Sequence, residues 1–124
     1  MIIAYSDCIA HGYDLALGPE QQKIAVASGY WPLFRYDPRR RAAGQNPLQL
    51  DSPAPNNQLQ QFMFNETRFR MVEQKDPDRY KTLLESAKRH IADRYALYRQ
   101  LAEPPQAHPA TEGSATPSTA KAAT

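Results

Sequence analysis

Residues 2–12 read Ile2-Ile3-Ala4-Tyr5-Ser6-Asp7-Cys8-Ile9-Ala10-His11-Gly12, and the fold turns on how this stretch is taken. Positions 2–5 are apolar one after another, so both faces of an extended chain there are apolar, which is how a strand buried in a parallel sheet reads. A buried strand needs neighbours, and the rest of the 124 residues offers few. The sequence therefore predicts the last strand of a larger α/β sheet, with an edge strand of a small α+β domain as the competing reading. Ser6-Asp7 ends the run. Residues 8–12 then make a compact polar turn at the strand's carboxyl end, where open α/β sheets place ligands.

Further along, Gly18-Pro19 opens a short helix over residues 20–28, with Gly29 just beyond it. Trp31-Pro32-Leu33-Phe34-Arg35-Tyr36 and Leu48-Gln49-Leu50 read as a β-hairpin or two short strands around an Arg-rich loop at 39–45, ended by Pro53 and Pro55. Two helices follow, over residues 57–74 and 78–101. Asp76-Pro77 separates them, and the fixed φ of proline suits a helix start. In the second, Leu84, Ala87, Ile91, Tyr95, Tyr98 and Leu101 recur at three- and four-residue spacing, an amphipathic pattern. With Leu59, Phe62, Met63 and Phe69 in the first, the pair is expected to form an antiparallel helical hairpin. Residues 103–124 hold no aliphatic side chain larger than alanine, a composition that cannot offset the entropy of ordering, so a disordered tail is expected. The chain divides at 1–56, 57–102 and 103–124.

Composition narrows the function classes. A net charge of +2 is too mild for a nucleic-acid footprint. One cysteine leaves no internal disulfide framework and suits a reducing cytoplasm. The N-terminus reaches Asp7 without a basic leader, which fits neither a signal peptide nor a membrane span. No phosphate-binding glycine loop, nucleophile elbow or zinc-binding pair is present, which argues against an independent enzyme.

Among single residues Cys8 is the one to test, for its place at the strand end. The competing reading is a small buried hydrophobe, since one thiolate cannot hold a cluster that needs about four. His11, His90 and His108 make no zinc site, the latter two being expected in solvent. Arg39-Arg40-Arg41 reads as solvated surface rather than a phosphate contact. Tyr30, Trp31, Phe34 and Tyr36 read as the core of the hairpin rather than a stacking platform.

Residues 4–12, then Gln21-Gln22-Lys23, Ala25-Val26 and Ser28-Gly29-Tyr30-Trp31-Pro32-Leu33-Phe34-Arg35-Tyr36, closely resemble the last thiamine-diphosphate-binding domain of the single-chain pyruvate:ferredoxin (flavodoxin) oxidoreductases. The likeness continues through Asn46-Pro47, Leu50-Asp51-Ser52, Phe62-Met63, Asn65-Glu66 and Arg68-Phe69-Arg70-Met71 to Leu101-Ala102, nearly everything but the tail. The resemblance implies the C-terminal part of an enzyme that converts pyruvate and coenzyme A to acetyl-CoA and CO2. It implies thiamine diphosphate with Mg and [4Fe–4S] clusters as cofactors, and electron delivery to ferredoxin or flavodoxin. It also implies a homodimer in the complete enzyme and no nucleic-acid or membrane partner.

On this resemblance Cys8 is one ligand of the cluster nearest the thiamine. The other three cysteines lie upstream and are absent here, as is the thiamine-diphosphate motif. Asp7 places an anion near that cluster, lowering its potential slightly, while His11, Gly12 and the aromatics shape the turn and its packing; none is catalytic. Met1 stands where the family continues through a strand, as at a truncated gene, an internal start or a contig edge.

Residues 1–56 are then the end of the thiamine-diphosphate-binding domain, and the chain alone is expected to be inactive. The reading from a different class is a stand-alone helical interaction module with a buried structural cysteine; an RNA-binding fragment using Arg39 to Arg41 is the weakest. The oxidoreductase reading predicts a reactive, poorly buried Cys8, the module a cooperatively folded monomer. Because a lone strand and a helical hairpin share little core, the purified chain is expected to show helical circular dichroism and a broad melt; a sharp two-state transition would contradict this.

Overall fold

The computed structural model describes residues 1–6 and 8–103, so the expectations for Asp7, for His108 and for the tail beyond Glu103 lie outside it. The architecture is that of an α/β fragment. Two short 3-10 turns, Ile9–His11 and Leu15–Leu17, lead into α1 (Gly18–Ala27). Then come β1 (Phe34–Tyr36), a 3-10 stretch over Pro38–Ala43, and β2 (Leu48–Leu50). The chain closes with α2 (Leu59–Asn65), α3 (Thr67–Lys75) and the long α4 (Pro77–Ala102).

The expected hairpin forms, antiparallel, with Phe34 opposite Leu50, Arg35 opposite Gln49 and Tyr36 opposite Leu48. The expected parallel strand over residues 2–5 does not. Among the described residues the sheet has two strands, β1 and β2, and Ile2 and Ile3 stand 94% and 66% exposed. A parallel strand exists through hydrogen bonds to flanking strands, and none flanks this one here. The apolar run has no regular secondary structure, and its Ile side chains are uncovered.

The core is helical. Ala25 of α1, Leu59, Phe62 and Met63 of α2, and Tyr80, Leu84 and Ile91 of α4 are buried together. Phe62 is fully buried, with Tyr30 at 4.3 Å between ring centroids and Phe69 at 6.2 Å. Burying one such ring stabilises by roughly 1.5–3 kcal/mol. Tyr30 and Trp31 pack against this core, whereas Phe34 and Tyr36 are exposed. The four aromatics therefore do not make a private hairpin core: a two-stranded ribbon has too little surface to enclose them, and Phe34 lies against Tyr98 of α4 instead.

The helix expected over 57–74 is two helices. Glu66 between them is extended, at φ −106° and ψ 125°, and its side chain turns into the protein. The start of α4 follows the Asp76-Pro77 signal, with the Asp76 carboxylate accepting from the Arg79 amide at 3.0 Å. At its other end Asn46 donates to the carbonyls of Leu101 and Glu103, tying the hairpin loop to the last turn. No helix among the described residues is long and apolar enough to cross a membrane.

In the Arg-rich loop, the Asp37 carboxylate accepts from the Arg39 backbone amide at 3.1 Å and from its guanidinium at 2.9 and 2.8 Å. Arg40 donates to the Asn46 carbonyl at 2.9 Å. The side-chain bond from Arg39, then the backbone bond, lowers the Asp37 pKa from 3.8 to about 2. A depressed carboxyl contributes stability above its ordinary value that is lost as pH falls through the folded one. A carbon NMR titration should place the Asp37 midpoint near 2, and Arg39→Ala should return it toward 3.8; an unchanged midpoint would refute the assignment.

Candidate functional site

Cys8 heads the Ile9–His11 turn in extended conformation, and its carbonyl accepts from the His11 amide at 3.0 Å. Its thiol is exposed, which contradicts the buried-cysteine reading. The turn closes on Gly12 at φ 72° and ψ 55°, with the Gly12 amide donating to the Ile9 carbonyl at 3.1 Å. The Gly12 carbonyl then accepts twice from Thr67, from its amide at 3.1 Å and from its hydroxyl. Thr67 is the first residue of α3, so this carbonyl satisfies one of the amides left open at that helix start. A Cβ on residue 12 would lie 2.6 Å from Thr67 Cβ, so backbone angle and space both require glycine.

Beneath the turn sits Glu66, fully buried. A buried carboxylate is tolerated only when paired and hydrogen-bonded, and both its oxygens are satisfied. Oε1 accepts from Gln21 Nε2 at 2.9 Å, and Oε2 accepts from Arg68 Nε. Gln21 also donates to the Phe62 carbonyl at 3.0 Å and accepts from Asn65 at 2.8 Å. Arg68 reaches on to the Tyr5 hydroxyl at 3.3 Å, with its guanidinium 4.6 Å from the Phe69 ring centroid.

Burial, then the Glu66 charge, raises the Tyr5 pKa, with Arg68 acting in the opposite sense. The Tyr5 ring stacks on His11 at 6.1 Å, and Trp31 lies 5.4 Å away. His11 Nδ1 is buried without a hydrogen-bond partner, 4.0 Å from Glu66 Oε2. That separation is too long for a hydrogen bond, so His11 meets the carboxylate through space and the Tyr5 ring by stacking.

The arrangement holds one thiol outward on a rigid turn. Ile9, next in sequence, is exposed, and elsewhere Met1, Ile2 and Ile3 line a groove of about 760 Å³ with Trp31, Phe34 and Tyr98. Among the described residues no group of three His, Cys, Asp or Glu side chains could hold a metal ion. By chemistry a lone thiol can serve a cluster only as one ligand of several, and no acidic cluster that would carry the Mg of thiamine diphosphate is found among the described residues. His90 is exposed on α4 and lines a pocket with Tyr5 and Trp31.

Glu66, Gln21 and Thr67 were not distinguished by residue type or spacing. The one signal available was a charged residue interrupting an otherwise helical apolar pattern after Phe62-Met63.

No family model matches the chain. It is 52% identical over 102 residues to the pyruvate-flavodoxin oxidoreductase of Rhodospirillum rubrum, a match covering 82% of this chain and 8% of that protein. It is 41% identical over 102 residues to a probable pyruvate-flavodoxin oxidoreductase of Escherichia coli, covering 82% and 9%. To the pyruvate:ferredoxin oxidoreductase of Moorella thermoacetica it is 35% identical over 103 residues, covering 83% and 9%. The chain thus spans less than a tenth of the length of these relatives.

Gly12 and Gly44 share a positive φ, 72° and 67°, but nothing lies within 4 Å of a Cβ built on Gly44. Gly12→Ala should lower stability by about 1–3 kcal/mol from backbone strain alone, plus the clash with Thr67, and Gly44→Ala by the strain only. Urea midpoints that shift equally for the two would show that the Thr67 contact carries nothing.

Proposed function

Because this chain is homologous to one segment of the pyruvate-flavodoxin oxidoreductases, we propose that it works as part of such an enzyme and supplies, through Cys8, one ligand of a [4Fe–4S] cluster. The enzyme oxidises pyruvate with coenzyme A to acetyl-CoA and CO2 and passes electrons to ferredoxin or flavodoxin, as a cytoplasmic homodimer. In it residues 1–56 complete the thiamine-diphosphate-binding domain, residues 57–102 close it with a helical hairpin, and the remaining cysteines, thiamine diphosphate and Mg belong to other parts of the polypeptide. Alone, the segment is inactive.

The observation that carries the reading is the exposed thiol of Cys8 on a turn anchored from below. A structural cysteine is ordinarily buried as a small hydrophobe; this one is exposed, followed by the exposed Ile9. A thiol left uncovered by its own chain suits a ligand whose cluster is completed from elsewhere. The adjoining exposed run at 1–3 has the character of a strand awaiting its neighbours, as the sheet of a larger domain supplies.

The cluster, when bound, accepts and donates single electrons. Toward it this chain would supply the Cys8 sulfur, from a turn bound at Gly12 to Thr67, with the charge of Glu66 below neutralised by Arg68.

The test is a chimaera in which this segment replaces the matching segment of the Rhodospirillum rubrum relative. Cys8→Ser should cost the chimaera about one cluster, roughly four irons per chain, together with its electron paramagnetic resonance signal. Full iron content and an unchanged signal would overturn the ligand assignment.

A further inference from the structure

The hydrogen bonds that tie the Cys8 turn to the helical core pass through Thr67. Its amide and its hydroxyl both donate to the Gly12 carbonyl. The hydroxyl has a single proton, and Arg70 Nη2 donates to the same oxygen at 2.7 Å. With one lone pair taken up by Arg70, the hydroxyl proton is directed at Gly12. Thr67 follows the fully buried Glu66 and starts α3, so it is fixed by that carboxylate on one side and by the helix on the other.

We propose that Thr67 is a positioning residue for the Cys8 thiolate: its hydroxyl, oriented by Arg70, sets the angle at which the turn of residues 8–12 presents sulfur to an iron–sulfur cluster. The inference rests on the reading of Cys8 as a ligand. It goes beyond it in assigning a function to a side chain that touches neither sulfur nor cluster. Within the turn the His11 amide bonds the Cys8 carbonyl and the Gly12 amide bonds the Ile9 carbonyl, two overlapping bonds that couple its last residues to its first. A displacement of Gly12 is therefore passed through Ile9 and His11 toward Cys8. Hydrogen bonds made to a metal ligand itself are worth about 10- to 100-fold in metal affinity; Thr67 acts one step further out, through the backbone of the turn, so its effect is expected at the lower end of that range.

Thr67→Val keeps the shape and the backbone bond and deletes the hydroxyl. Thr67→Ser keeps the hydroxyl and deletes the methyl. Arg70→Met leaves Thr67 intact but removes what orients it.

In the chimaera described above, iron retention against a chelator and the cluster's electron paramagnetic resonance signal are read for these three variants beside Cys8→Ser. The expected result is about tenfold weaker retention and an altered signal for Thr67→Val, parental behaviour for Thr67→Ser, and a smaller change in the same direction for Arg70→Met. If Cys8→Ser loses the cluster while Thr67→Val and Arg70→Met match the parent, the positioning role is overturned and the ligand reading stands. Equal impairment of Thr67→Val and Thr67→Ser also overturns it, because packing rather than the hydroxyl would then matter. If Thr67→Val does not fold, Arg70→Met decides. An intact cluster in Cys8→Ser overturns the ligand reading and this inference with it.

Discussion

A carboxylate placed out of reach of water constrains everything around it, and Glu66 is such a group. Leaving either oxygen unpaired would cost far more than any single contact returns, so the surrounding segments are arranged to meet it. Gln21 brings α1 against α2, because the same amide that serves Glu66 also donates to the Phe62 carbonyl. Arg68, in the first turn of α3, also donates to the Tyr5 hydroxyl and so ties Tyr5 to the helices. The interruption between α2 and α3 belongs to the same arrangement. A continuous helix would leave the residue 66 backbone helical and the amide of Thr67 committed within the helix; the extended residue 66 releases that amide to the Gly12 carbonyl.

The molecule has an apolar core around Ala25, Leu59, Phe62, Tyr80, Leu84 and Ile91, beside a buried carboxylate whose two oxygens are both paired. Other large apolar side chains stand in water, Met1, Ile2, Ile3 and Ile9 near the N-terminus and Phe64, Met71, Leu83 and Leu97 on the helices. A burial of about 25 cal/mol per Å² makes such surface costly to leave exposed. The exposed thiol of Cys8 belongs to a turn whose last residue, Gly12, is bound to Thr67 at the start of α3.

The helices and hairpin were legible because each is specified locally. Proline and aspartate at 76–77 start α4 wherever they occur, the three- and four-residue spacing of Leu84, Ala87 and Ile91 defines its buried face, and Trp31 to Tyr36 with Leu48 to Leu50 alternates as paired strands do. The Cys8 turn was legible as a compact polar bend with Gly12 at its end. The strand at 2–5 was misjudged because its pattern describes an environment rather than a conformation: consecutive apolar residues become a strand only where flanking strands pair with them. Phe34 and Tyr36 were misassigned for a related reason, since the partner that takes Phe34, Tyr98, lies far along the chain.

By itself, then, the sequence determined the order and kind of the local elements, the isolated cysteine at the head of its turn, and the kinship with a segment of a much longer oxidoreductase. Tertiary structure alone decided that residue 66 would be extended, that its carboxylate would join Gln21 to Arg68 across 45 and 2 positions of chain, and that Thr67 would hold Gly12. Helix and turn signals act between neighbours, where a residue's own backbone preference is expressed. A buried charge acts through whichever groups the fold delivers to it, and no spacing along the chain records which those are.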